Sequence, residues 1–93
     1  MNKSELIEAL SQDLNITPRQ SSSILNIILE AMIEAMERGD DIEIRGFGSF
    51  NVKEYKPYVG RNPKSGQQIA VKPKKLPFFK VGKELKERVN RSA

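Results

Sequence analysis

The sequence predicts an α+β fold in which two helices precede a set of antiparallel strands and a short helix closes the chain. Three observations predict it. Helix-start signals at Asn2 and Thr17 are each followed by apolar residues at helical spacing. Between residues 42 and 55 the apolar period drops to two, interrupted only by Gly46-Phe47-Gly48. Beyond that point prolines and a dense turn cluster rule out a buried central strand.

With 93 residues there is room for one domain, and a chain this short buries only about 60–65% of the surface its unfolded form exposes. Any projecting segment makes that worse. Cysteine is absent, which excludes disulfide staples, thiolate zinc sites and thiol nucleophiles; histidine is absent too. The stretch from Met1 to Leu14 mixes charged with apolar residues, so neither a signal peptide nor a membrane span is expected, and a cytoplasmic, reducing setting is.

The net charge of +4 is unevenly placed. Residues 1 to 52 hold four Lys/Arg against nine Asp/Glu, whereas residues 53 to 93 hold twelve against three. A polyanionic partner is therefore expected for the second half, against the alternative of a merely solvated surface.

Asn2-Lys3-Ser4-Glu5 has capping-box spacing, and Leu6, Ile7, Leu10 and Leu14 recur behind it as an apolar stripe. Thr17-Pro18-Arg19-Gln20 combines an N-cap threonine, proline at the first helical position and glutamine at the third. The helix that follows is apolar at Ile24, Leu25, Ile27, Ile28, Leu29, Ala31, Met32, Ile33, Ala35 and Met36, and Gly39 is expected to end it in a left-handed conformation. That stripe is too wide for one partner. One side is expected to meet the first helix and the other a second copy of the chain.

Ile42 to Arg45 and Ser49 to Tyr55 read as the strands of a hairpin, with Gly46 and Gly48 permitting a tight turn or a close backbone approach around Phe47. A phosphate-cradling role for this lone G-x-G is weak without a following helix. Pro57 breaks the strand, and Gly60-Arg61-Asn62-Pro63-Lys64-Ser65-Gly66 reverses the chain. Gln67 to Lys75 returns extended. Between Lys53 and Lys75 stand seven basic residues and one acid, Glu54, so the segment reads as a two-stranded basic arm. Such a ribbon is marginal in water, and it is expected to be mobile until a ligand holds it. Leu76-Pro77-Phe78-Phe79 is expected to rejoin the core, and a helix from Gly82 to Arg91 to turn Leu85 and Val89 inward.

In Gly46-Phe47-Gly48-Ser49-Phe50, in Gly60 to Gly66, and in Phe79-Lys80-Val81-Gly82-Lys83-Glu84-Leu85-Lys86, with their order and spacing, the chain resembles the bacterial HU and integration host factor proteins over essentially its whole length. The resemblance implies an intertwined dimer with a helical base (residues 1–39), an antiparallel β-saddle (40–52 and 76–81), two protruding β-ribbon arms (53–75) and a C-terminal helix (82–91). Ile28, Met32, Met36, Phe47, Phe50 and Phe79 would form the dimer core. Pro63 would wedge between base pairs at the arm tip, with Arg61 and Asn62 beside it in the minor groove. The arm would contribute Lys53, Tyr55, Lys56, Tyr58, Lys64, Ser65, Lys72, Lys74 and Lys75. Lys3, Ser4, Lys80, Lys83 and Lys86 would hold phosphates along the body, with Arg45 and Gly46 at the saddle edge.

The arm departs from the family pattern at three positions. Tyr55 and Tyr58 replace basic or small polar residues, and Ser65 replaces threonine. A weaker grip by the first arm strand is expected, with Lys72, Lys74 and Lys75 compensating. From Lys53 to Pro63 the arm spans roughly 33 Å, enough to curl round a duplex.

The implied function is non-catalytic binding and bending of double-stranded DNA, with no cofactor or metal, in the bacterial nucleoid. Arg45 and Gly82-Lys83-Glu84-Leu85 look host-factor-like, which would imply a heterodimer with a paralogous chain and some site preference; a homodimer without preference is the HU-like alternative. A basic dimeric module that docks acidic proteins is the competing class. A nuclease would need convergent carboxylates, and the acids here fall mainly where capping and solubility explain them.

Overall fold

The computed structural model describes residues 1–91, excepting the side chains of Tyr58 and Val71. Helices α1 (Lys3–Leu14) and α2 (Pro18–Glu37) lead into strands β1 (Ile42–Ile44), β2 (Gly48–Tyr55), β3 (Tyr58–Arg61), β4 (Gln68–Val71) and β5 (Lys74–Val81), and α3 (Lys83–Arg91) closes the chain. The molecule is elongated, 60 × 34 × 27 Å.

Capping chemistry sets the helix ends. At α2 the box is complete: the Gln20 amide donates to Thr17 Oγ1 at 3.1 Å, and the Thr17 amide donates to Gln20 Oε1 at 3.0 Å. At α1 only the forward half forms among the described residues, from the Glu5 amide to Asn2 Oδ1 at 2.9 Å. Gly39 (φ 84°) follows α2, and its amide and that of Asp40 return to the carbonyls of Met36 and Ala35. Asn15 (φ 53°) ends α1 in the same way, with the Ile16 amide reaching the Ser11 carbonyl at 3.0 Å. Asparagine tolerates that conformation better than other non-glycine residues.

Small residues bring α1 and α2 together. Ser11, Ser21 and Leu25 are buried, and Ser21 is 0% exposed. Its hydroxyl donates to the Ile7 carbonyl at 2.6 Å, satisfying a polar group that would otherwise be costly to bury. The rest of the apolar surface of α2 is open in the single chain: Ile24, Ile28, Leu29 and Ile33 are exposed, and Ile27 is 70% exposed. Leu6 and Leu14 of α1 are exposed as well.

The sheet order is β1-β2-β5, antiparallel throughout, and β3-β4 form a separate two-stranded ribbon. Pro77 sits in β5, an edge strand, as its missing N–H requires. β2 and β5 pair without a break from Gly48↔Val81 to Tyr55↔Lys74, and the separate β3–β4 ribbon begins beyond Lys56-Pro57 and Lys72-Pro73. Each of those breaks carries a proline that removes a ladder donor.

Two expectations are not met in the single chain. It leaves β5 exposed along its whole length, Phe79 (42%) as much as Leu76 (44%) and Phe78 (38%); the period of two places Pro77 and Phe79 on one face, where Phe79 touches Phe50 and Phe47, and Leu76 and Phe78 on the other. Val89 is exposed in the single chain and only Leu85 is half-buried. The described backbone contacts of α3 are at its first turn, where the Gly82 amide donates to the Phe47 carbonyl at 2.9 Å and the Lys86 amide to the Gly82 carbonyl at 3.1 Å.

Candidate nucleic-acid interface

The free ribbon is closed by a turn that its own side chains shape. The Asn62 amide donates to the Gln67 carbonyl at 2.8 Å, and the Gly66 amide to the Asn62 carbonyl at 2.7 Å. Asn62 Oδ1 accepts from the Lys64 amide at 2.9 Å, an Asx turn that puts Pro63 at the exposed apex. Ser65 Oγ accepts from the Gln67 amide at 3.3 Å. Gly66, at φ 72° with open space around its Cα, supplies the left-handed residue that the reversal needs. Asn62 and Ser65 are thus committed first to the turn itself.

Arg61 pairs with Gln68 at the last rung before this tip, and Lys64 stands in the turn. Lys56 and Lys72 flank the breaks at the ribbon's base. The side chain of Tyr58 lies outside the described residues. Closer to the body the basic residues have partners within the chain. Lys53 Nζ stands 4.8 Å from the Phe78 ring centroid, and Lys74 Nζ stands 5.8 Å from that of Tyr55. Lys75 Nζ lies 3.8 Å from Glu54 Oε1, directly across the register. Among the described residues the only other ion pair is Arg38–Asp40, so Arg61, Lys64, Lys72, Lys80, Lys83 and Lys86 carry charge that no described acid takes up.

At the other end of the sheet, Gly46-Phe47-Gly48 packs onto Lys80 to Glu84. A Cβ on Gly48 would stand 2.5 Å from the Lys80 carbonyl oxygen, and one on Gly82 3.1 Å from the backbone of Phe47. A Cβ on Gly46 (φ 85°) would meet only the flexible carboxylate of Glu84, at 2.7 Å. The two glycine-bearing motifs are therefore halves of one contact. It leaves Lys80, at the end of β5, close in sequence to Lys83 and Lys86 in the first turn of α3, with Arg45 and Gly46 in the facing turn. Lys3 and Ser4 sit on a different element, the first turn of α1.

Phe79 touches Phe50 and Phe47, with ring centroids 4.9 and 5.5 Å apart, both tilted. Phe47 and Phe79 are still exposed on one side, as is Ile28, while Met32, Met36 and Phe50 are half-buried. Sequence reasoning missed the outward row of Leu76 and Phe78. The alternation Lys74, Leu76, Phe78, Lys80 carried that signal, and the two prolines nearby obscured it.

A helical base, an antiparallel sheet on which Phe47 and Phe79 stay exposed and a projecting cationic ribbon define an arm-bearing nucleic-acid-binding protein. A family model described as bacterial DNA-binding protein matches residues 1–90, and the chain belongs to that family. It is 50% identical over 93 residues to integration host factor subunit beta of Dechloromonas aromatica (strain RCB), covering 99% of each chain. Among solved structures it is similar to an Anabaena HU–DNA cocrystal structure, with a TM-score of 0.80 and 38% identity over 96% of this chain and 97% of that one. HU from Thermotoga maritima gives a TM-score of 0.68 and 34% identity, over 96% and 98%.

Proposed function

We propose that the chain is a dimeric architectural protein that binds double-stranded DNA through the minor groove and bends it, shaping the bacterial nucleoid. The observation that carries this reading is the ribbon tip, where the Asn62 side chain fixes the turn that holds Pro63 at its apex on a stalk of unneutralised cations. A rigid pyrrolidine ring presents apolar surface to a base step without an unsatisfied N–H. Arg61 and Asn62 beside it suit the minor groove, and Lys80, Lys83, Lys86, Lys3 and Ser4 suit phosphates along the flank.

Bending a site of 20–30 base pairs costs roughly 1–6 kcal/mol, plus a few kcal/mol for each unstacked step. Counterion release by the cations offsets it, and a dimer doubles that gain. The open apolar surface of α2, with Phe47 and Phe79, is what a second chain would cover, with Ile28, Met32, Met36 and Phe50 completing the interface. Minor-groove edges distinguish little beyond A·T from G·C, so base specificity is low and easily deformed sites are preferred.

The role is non-catalytic, which the family's character supports. Among the described residues no helix is long and apolar enough to cross a membrane, and the cytoplasmic nucleoid is the location that suits a family of DNA binders.

The test is DNA affinity measured across a fourfold salt range. A fall of about 10³-fold or more supports the reading, and an affinity that barely changes overturns it.

A second reading is favoured by the 50% identity to an integration host factor β subunit: one chain of a heterodimer with site preference. Sedimentation of the purified chain alone, followed by bending assays on random and defined duplexes, separates the two. A stable homodimer that bends both alike supports the HU-like role.

A further inference from the structure

The two strands that leave the sheet break side by side. β2 ends at Tyr55 and β5 begins at Lys74, its partner in the last rung, while the first rung of the ribbon is Tyr58↔Val71. Between those rungs lie Lys56-Pro57 on one strand and Lys72-Pro73 on the other, and neither proline has an N–H with which to carry the ladder across. The interruption opens a cavity of about 360 Å³, walled by Tyr55, Pro57 and Pro73, with Glu54, Lys56 and Lys74 also on its lining.

The lining is predominantly apolar. Tyr55 is 44% exposed, and Lys74 Nζ stands 5.8 Å from its ring centroid. An aromatic ring and two pyrrolidine rings around one opening make a slot for a flat, weakly polar group, and the ammonium groups beside it call for an anion on the same ligand. An aliphatic chain meets the first demand but strips water from the ammonium groups without pairing them. A nucleotide meets both, because any base stacks on an aromatic side chain and its phosphate lies one sugar away. A base inside a duplex has both faces covered by its neighbours, so only an unstacked one can enter.

We propose that the slot between the two proline breaks binds an unstacked nucleobase, which stacks on Tyr55 against the two prolines with its phosphate toward Lys56 and Lys74. Two sources offer that group: a nucleotide extruded from bound DNA, and a free nucleotide. The first rests on the reading of the chain as a duplex-DNA binder; the second does not. With the first source, a bulged duplex is favoured for the base it presents as well as for the ease with which it bends. Stacking releases no counterions, so the preference it gives is the same at every salt concentration.

The experiment uses the full chain and three duplexes: one fully paired, one with a single bulged 2-aminopurine, and one with an abasic residue at the bulge. The two bulged duplexes share a backbone and differ only in the base. Affinity is measured across a salt series, 2-aminopurine emission reports stacking, and sedimentation checks the dimer in each variant. Wild-type protein that fails to bind even the paired duplex refutes the underlying reading, and 2-aminopurine ribonucleoside monophosphate alone then still tests the slot. Given duplex binding, the wild type prefers the base-bearing bulge to the abasic one about fivefold at every salt concentration and quenches its emission. Tyr55→Phe keeps both effects, and Tyr55→Leu abolishes both. Should Tyr55→Leu fail to dimerise, Tyr55→Thr, which keeps a strand-favouring side chain, carries the same expectation. Quenching of the free monophosphate by the wild type but not by Tyr55→Leu assigns the slot to free nucleotides also; quenching confined to the bulge assigns it to extruded bases. Equal wild-type affinity for the two bulges removes the extruded base as a source, and with no quenching of the free monophosphate it overturns the proposal. A preference that survives undiminished in Tyr55→Leu overturns it as well.

Discussion

The hydroxyl of Ser21 and the carbonyl of Ile7 lie 2.6 Å apart, joining α2 to α1 at a position where Ser21 is wholly buried. The helices approach this closely because the residue is small and its one polar group is satisfied. Ser21→Ala keeps the volume and loses the hydrogen bond, and should cost about 1 kcal/mol. Ser21→Leu must force the helices apart and should cost roughly 1–3 kcal/mol. Urea denaturation at fixed protein concentration checks both, and equal midpoints for the two variants would show that the interface is not closely packed at this point.

The glycines separate by what a methyl group would meet. Gly48→Ala would drive a Cβ to within 2.5 Å of the Lys80 carbonyl oxygen and 2.6 Å of the Phe79 ring, neither of which can yield without moving the sheet. A thermal midpoint lower by about 10 °C or more is expected. Gly66→Ala meets nothing and suffers only from its positive φ, in a ribbon apart from the body, so the midpoint should stay within about 2 °C of wild type. Thermal melts of the two variants side by side decide the matter.

Much of this arrangement is legible in the residues. Thr17-Pro18-Arg19-Gln20 announces the start of α2 because each residue meets a separate local need of a helix terminus, and Gly39 and Gly66 occupy positive-φ sites that local rules anticipate. What local rules cannot supply is which faces meet. The serine contact between α1 and α2 depends on helix crossing, not on hydropathy, and Ser11 and Ser21 look like ordinary polar positions in the sequence. Leu76 and Phe78 look like core residues for the converse reason. The breadth of the α2 stripe was readable as surplus surface, and the exposure of Ile27, Ile28 and Ile33 in the single chain agrees with that. At the interface, the charge asymmetry located the basic half; that Lys53, Lys74 and Lys75 already have partners emerges only from strand register.

Pro63 is exposed at an apex fixed by hydrogen bonds that do not involve its ring. Pro63→Ala should therefore leave the turn in place and affinity within about threefold of wild type, while reducing the kink, because alanine offers less rigid apolar surface to a base step. Gel-mobility phasing measures the bend directly. An unchanged bend would show that Pro63 is an ordinary turn residue.

The central claim is that the ribbon beyond the paired proline breaks is the lever that bends DNA, and that the body alone is not. Deleting residues 58–71, so that Pro57 joins Lys72, removes β3, β4 and the tip while leaving the saddle pairing through Tyr55↔Lys74 intact. End-to-end energy transfer on a doubly labelled duplex, measured at saturating protein with the dimer verified, then reads curvature. The account predicts a dimer that still binds DNA at low salt and returns the transfer efficiency of straight duplex; curvature equal to that produced by the full chain would contradict it.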